Sequence, residues 1–200
     1  MLWKQFSASF LVLPALLLTF LTQVSANQEL PTYGQVPDFT LIQQSGKEIK
    51  LADLKGNVWI ANFVFTRCQG MCPMLTGRMA GLQERFKQPH VKFISFSVDP
   101  EYDTPKVLSE YAVRYHAEEG KWFFLTGDKK VMWNFITEGF SLGVADASPE
   151  DLAAGAEPVM HSGRFVLIDQ KGSIRGYYDS SEPSKVEELV RDASLLAMTD

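Results

Sequence analysis

Apolar positions in this chain alternate between two periods, and the changes of period mark the elements. Val58–Phe65 is a run of β-formers long enough for one buried strand. After a polar break, Leu75, Met79, Leu82 and Phe86 recur at helical spacing and predict an amphipathic helix. Val91–Val98 is a second strand, ended by Asp99-Pro100. Thr104-Pro105 supplies an N-cap and a first-turn proline for a helix running to about Tyr115. Trp122–Leu125 is a short apolar strand. Gly127-Asp128 then introduces a helix with Val131, Phe135 and Ile136 on its inner face, ending before Gly139. Ser141–Pro158 has no clear period and reads as a long loop. Arg164–Ile168 and Ile174–Tyr178 form a hairpin around Gln170-Lys171-Gly172. Ser184 caps a last helix whose stripe is Val186, Leu189, Val190 and Leu196. Upstream, Asp38–Ile42 and Glu48–Leu51 form another hairpin, turning at Ser45-Gly46.

The predicted order is therefore hairpin, β, α, β, α, β, α, β, β, α. Strands alternating with helices imply an α/β layered sheet, mostly parallel with an antiparallel edge. This is the element order of a thioredoxin-like fold carrying an N-terminal β-hairpin extension and an inserted strand–helix. There is no internal repeat.

Length and charge narrow the classes. A chain of 200 residues is one domain with a self-sufficient core. Residues 1–26 stand apart from that domain: Lys4 is their only charge, Phe10–Leu21 is apolar, and Val24-Ser25-Ala26 offers the small residues a signal peptidase needs. The expectation is an export signal cleaved before Asn27; the rival is an uncleaved N-terminal membrane anchor, diluted by Pro14 and by Ser and Thr. No cysteine follows the apolar run, so no lipoprotein signal is expected. Residues 27–37 read as a polar, proline-containing linker and 38–200 as the folded domain. With a net charge of −5 and no basic cluster, nucleic acid is excluded as a partner. Export means an oxidising compartment.

The candidate chemistry is concentrated in Asn57–Leu75, which holds both cysteines of the chain, Cys68 and Cys72. Pro73 is tolerated only in a helix's first turn, so the helix starts near Cys72 and both thiols sit on a strand-to-helix turn. The helix macrodipole there favours thiolate, so a depressed thiol pKa is expected. Three residues intervene between the cysteines, unlike the two of a thioredoxin pair. If the turn is helical, a four-residue separation puts both sulfurs on one face, close enough to share a soft metal ion or to form a Cys68–Cys72 disulfide. The bland alternative is a pair of buried, inert thiols.

Four segments in fixed order then carry a resemblance: Phe65-Thr-Arg-Cys-Gln-Gly-Met-Cys-Pro73, Ser97-Val-Asp-Pro-Glu-Tyr-Asp-Thr-Pro105, Leu125-Thr-Gly127 and His161-Ser-Gly-Arg-Phe-Val-Leu-Ile-Asp169. Together they resemble the Sco/SenC family of thioredoxin-fold copper-handling proteins, over about Val36 to Leu196. The resemblance implies an exported copper chaperone for cytochrome c oxidase assembly, in the periplasm or anchored at the inner membrane facing it, carrying Cu(I) and/or Cu(II). Its metal ligands would be Cys68, Cys72 and His161, and Cys68 and Cys72 would also be a redox-active pair. The implied partner is the copper-receiving subunit of the oxidase, with other copper carriers as further candidates; a monomer is expected. Where many members have Pro or Asp between the cysteines, this chain has Gln69-Gly70-Met71.

Residue chemistry agrees in kind: two sulfurs and an imidazole suit copper or zinc, and the sulfurs favour Cu(I). The bland alternative for His161 is a hydrogen-bonded residue at a strand end. His90 and His116 read as solvated or capping residues. Of the thioethers near the turn, Met74 is expected in the core or at its edge, Met160 lining the pocket, and neither these nor Met71 as a ligand. Asp99 and Asp103 offer contacts to a metal-bound histidine, or else end a strand and cap a helix. Two other functions stay open. One is a periplasmic thiol–disulfide oxidoreductase without metal delivery; the other, a thiol peroxidase, rests on fold analogy alone.

Overall fold

The computed structural model describes residues 29–198, so the expected signal or anchor lies outside the described residues. Ten strands and six helices follow in chain order. They are β1 (Gly34–Gln35), β2 (Thr40–Gln43), β3 (Glu48–Lys50), α1 (Leu51–Leu54), β4 (Val58–Val64), α2 (Met71–Arg85), β5 (Val91–Ser97), α3 (Pro105–Arg114), β6 (Trp122–Thr126) and α4 (Lys129–Asn134). There follow β7 (Val144–Asp146), α5 (Pro149–Ala153), β8 (Val159–His161), β9 (Arg164–Ile168), β10 (Ser173–Asp179) and α6 (Pro183–Met198).

Eight strands form one sheet in the order β1-β10-β9-β4-β5-β6-β2-β3, and β7 pairs with β8 in a separate ribbon. Only β4-β5 and β5-β6 are parallel, because only these are joined by the helical crossovers α2 and α3. Hairpins and returning strands make the other neighbours antiparallel, including β9 on β4 and β2 on β6. The expected mostly parallel sheet is thus a mixed one with a parallel centre. All seven residues of β4 are buried, which is why it reads as an unbroken apolar run rather than an alternation. Helices α2 and α6 pack on β4 and α3 on β6. Behind them, Phe63 stacks on Phe96 at 5.7 Å between ring centroids, and Phe140 meets both edge-on or tilted.

Several local expectations need correction. Part of the expected linker is β1: Tyr33 N–H donates to Ile174 O and Val36 N–H to Gly172 O, and the Val36 side chain is buried. Gly172 makes this close return possible at φ 86°, in the turn between β9 and β10. Leu51 opens α1 instead of extending β3. The expected loop 141–158 contains β7 and α5. Helix α6 begins at Pro183, so Ser184 lies inside it rather than capping it, and Ala193 joins Leu189 and Leu196 in the core. On α4 the inner residue is Met132, fully buried, whereas Val131 is 55% exposed. Asp128 caps this helix by accepting from Val131 N–H, and α4 runs on into a π-helical turn over Phe135–Gly139. Met132, Phe135 and Ile136 are buried at i, i+3 and i+4, so the expected Phe135 and Ile136 do face inward while Val131 lies off this stripe.

Candidate thiol and metal centre

The site is built at the carboxyl end of β4, where the chain leaves the sheet and turns into α2. Gly70 is the N-cap, Met71 opens the helix, and Cys72 and Pro73 follow within the first turn, where a missing N–H costs nothing. Both thiols are buried: Cys68 is 6% exposed and Cys72 is fully enclosed. The Cys72 amide donates to Cys68 Sγ at 3.4 Å. Cys72 Sγ in turn lies 3.3 Å from His161 Nε2. The other ring nitrogen, Nδ1, is 3.1 Å from Ser162 O. A carbonyl oxygen only accepts, so Nδ1 carries the proton and the Nε2 lone pair faces the Cys72 sulfur. Phe65 closes one side, edge-on to the imidazole at 5.7 Å.

Burial sets the electrostatics. It pushes the Cys72 thiol well above its ordinary pKa, aided by the neighbouring Cys68 and Glu157. It also lowers the His161 imidazole below its ordinary value. The expected dipole-driven thiolate is therefore corrected for Cys72: desolvation outweighs the helix terminus. Both groups are held in their neutral forms, and a bound cation would supply the charge that drives the thiol proton off.

The turn is held from below by carboxylates. Asp103, wholly buried, accepts from the Thr66 amide at 3.2 Å, from Thr66 Oγ1–H at 2.6 Å and from Ser97 Oγ–H at 2.6 Å. Arg67 Nε donates to Asp99 Oδ2 at 2.6 Å, and the guanidinium lies over the Tyr102 ring. Neither aspartate contacts His161; they fix the backbone just before Cys68 instead.

A pocket of about 240 Å³ opens over Cys68, lined also by Phe65, Met71, Glu157, Met160 and His161. Met160 is 53% exposed at its rim. Met71 packs so closely on the loop after His161 that its Sδ lies 2.6 Å from where a Cβ on Gly163 would stand. Met74, expected in the core or at its edge, is 45% exposed. His90 Nε2 donates to Ala197 O and is half-buried rather than solvated. His116 sits at φ 53° just past α3, its carbonyl accepting from Gln83. Neither histidine is at the site. One residue had no signal in the sequence: Glu157 Oε1 accepts from the amides of Gln69 and Gly70, between the two cysteines, from 88 and 87 positions away.

Two sulfurs and an imidazole are a donor set suited to a soft cation. Among the described residues no three His, Cys, Asp or Glu side chains yet converge on one point as a finished ligand set. The Cys72–His161 pair is in place, and Cys68 Sγ faces the Cys72 amide. The two thiols are free in this structure.

Comparison with known proteins matches the chain over residues 27–195 to the SCO1/SenC family model. The SCO1 protein homolog of Bacillus subtilis (strain 168) is 36% identical over 165 residues, covering 81% of this chain and 82% of that protein. A SCO1/SenC family lipoprotein from Bacillus anthracis str. Ames has a solved structure with TM-score 0.74 at 35% identity, covering 82% of this chain and 95% of that one. The structure of BsSco, described as a member of the Sco family of cytochrome c oxidase assembly proteins with a disulfide switch, has TM-score 0.73 at 31% identity. It covers 86% of this chain and 100% of that one. Copper-bound ScoI of Bradyrhizobium japonicum, at 24% identity and TM-score 0.62, shares the fold. With a family match over nearly the whole described chain, relatives above 30% identity and a thioredoxin-like scaffold that puts the Cys72 thiol beside an imidazole, the chain belongs to the SCO1/SenC family.

Proposed function

We propose that this protein is an exported copper carrier for the assembly of cytochrome c oxidase, holding the ion with Cys68, Cys72 and His161. One observation carries the reading: Cys72 Sγ lies 3.3 Å from the unprotonated Nε2 of His161, with Cys68 Sγ accepting from the Cys72 amide just ahead of α2. A plain dithiol reductase needs no imidazole lone pair at its thiol. Support for the cargo comes from the donor chemistry, in which thiolates favour Cu(I) and imidazole extends the set to Cu(II). Family membership supports the destination, since the relative BsSco is described as belonging to a group of oxidase assembly proteins. Residues 1–26 would be the export signal or anchor, the partner the copper-receiving subunit of the oxidase, and the carrier a monomer. A cleaved signal leaves a chain starting at Asn27, which intact-mass measurement on exported material reads directly.

A second reading has its own observation, two free thiols in contact through the Cys72 N–H and Cys68 Sγ, with Cys68 lining the pocket. One thiol, deprotonated, attacks a partner disulfide and forms a mixed disulfide. The other, deprotonated in turn, displaces the partner's remaining sulfur. Two electrons pass to the partner, which leaves as a dithiol while Cys68 and Cys72 become a disulfide.

Chelator-competed copper titration of the reduced protein separates the two. Cys68→Ser and Cys72→Ser should each abolish tight Cu(I) binding. His161→Ala should weaken Cu(II) at least about 10–100-fold, the loss typical even of groups that only orient a ligand, while disulfide reduction persists. Unchanged affinity for both oxidation states in His161→Ala would remove His161 from the ligand set and put the reductase first.

A further inference from the structure

Helix α2 has no cap of its own. Its N-cap, Gly70, has no side chain to accept from the first turn, and that turn contains no acidic residue. The free amides at a helix start need acceptors, and a negative charge is favoured there. One is used by Cys68 Sγ, which takes the Cys72 N–H. The two amides just ahead, of Gln69 and Gly70, are met by a single oxygen from a remote segment: Glu157 Oε1 accepts at 3.0 and 2.9 Å. A Cβ at position 70 would stand 3.2 Å from that oxygen, so a glycine there leaves room for the approach.

Glu157 sits on the strap that leads into β8, four residues before His161. The strap is tied within itself by Ala156 N–H to Asp151 O and by Ala147 N–H to Pro158 O. It lines the pocket over Cys68 through Ala156, Glu157 and Val159. Beside the Cys72–His161 contact itself, the carboxylate is thus a second hydrogen-bonded link between the turn that holds both sulfurs and the segment that holds the imidazole.

We propose that Glu157 is a positioning residue: it caps α2 from across the fold and latches the His161 strap to the Gln69-Gly70 turn, so that two thiols and one imidazole keep a common geometry. The latch is a property of the reduced protein without metal; only its effect on copper rests on the ligand reading above.

Three variants of the reduced full chain test it: Glu157→Ala removes the acceptor, Glu157→Gln keeps a neutral oxygen at the same place, and Gly70→Ala crowds the carboxylate from the other side. In the metal-free protein, Glu157→Ala should lose hydrogen-exchange protection at the Gln69 and Gly70 amides. Alkylation of the buried thiols should become about tenfold faster, as a locally opened segment exposes them. Gly70→Ala should move both readouts the same way, and Glu157→Gln should restore most of the wild-type behaviour. With Cu(I) and Cu(II) as probes, Glu157→Ala should bind about 10–100-fold more weakly. A variant that melts lower but keeps wild-type amide protection, alkylation and copper affinity would overturn the latch and leave a purely structural carboxylate. If wild type binds no copper while Glu157→Ala still unmasks the thiols, the copper reading falls and the latch stands. If wild type binds copper and Glu157→Ala binds it equally, with protected amides, the latch falls and the copper reading stands.

Discussion

Replacing Asp103 by alanine should loosen the cysteine turn from beneath, and the size of the effect follows from its partners. Asp103 is fully buried and receives three donors: the Thr66 amide, the Thr66 hydroxyl and the Ser97 hydroxyl. A buried amide left without an acceptor costs about 1–3 kcal/mol. The two hydroxyls lose charge-assisted bonds, but each can turn toward another acceptor, and the desolvation cost of the carboxylate itself disappears. The balance is a loss of about 3 kcal/mol, dominated by the orphaned Thr66 N–H and a partial contribution from each hydroxyl. For a domain of this size that corresponds to a Tm lower by about 6–12 °C. Asp103→Asn keeps one oxygen for Thr66 and puts an NH2 against Ser97, whose hydroxyl can turn to accept, so its loss should be about 1 kcal/mol. Urea unfolding of reduced protein at pH 7 gives both numbers, and thiol alkylation reports whether the turn has opened. The acid limb adds a signature. Burial raises the Asp103 pKa above its ordinary 3.8, so the native state holds this proton more tightly than the unfolded chain. The associated stability is fully present below pH 3.8 and is lost as pH rises through the raised native value. Asp103→Asn should lack that segment of the pH profile. Asp103→Ala within about 0.5 kcal/mol of wild type, with unchanged alkylation, would refute the view that this carboxylate supports the site.

Two further outcomes follow from other parts of the fold. Met132→Ala should cost about 2–5 kcal/mol as a core truncation, whereas Val131→Ala, on the exposed face of α4, should stay within about 0.5 kcal/mol; equal losses in urea titrations would contradict the observed face. Because burial lowers His161 below its ordinary 6.5, its contribution to stability is present above that pH and lost as pH falls through the lowered native value. Urea midpoints at pH 7.5 and on the acid side should therefore differ less in His161→Ala than in metal-free wild type, and an equal acid sensitivity would show that His161 is not the group responsible.

Local pattern carried much of this fold. Strand β4, its burial on both faces, the proline that starts α2 and the placement of Cys68 and Cys72 at their junction were all readable, because each depends on residues within about one turn or one strand of each other. The thioredoxin-like order of elements was readable for the same reason. Strand partners were not: a strand's sequence states that it pairs but not with what, so the parallel centre with antiparallel flanks emerges only when β9 and β2 return to the sheet. Phe135 and Ile136 were read correctly as inward, but Met132 rather than Val131 completes their face, because both are apolar neighbours and only the packing decides which one turns in.

At the site the division is sharper. Sequence alone determined which side chains could do soft-metal or thiol chemistry and that two of them share one strand-to-helix turn. Tertiary structure decided their state. It encloses Cys72, so that desolvation prevails over the helix dipole, and it sets the lone pair of a histidine 89 positions away against the sulfur. It also brings Glu157 onto the amides between the cysteines. Burial and long-range hydrogen bonds depend on where the whole chain closes, and no local window of sequence encodes that closure.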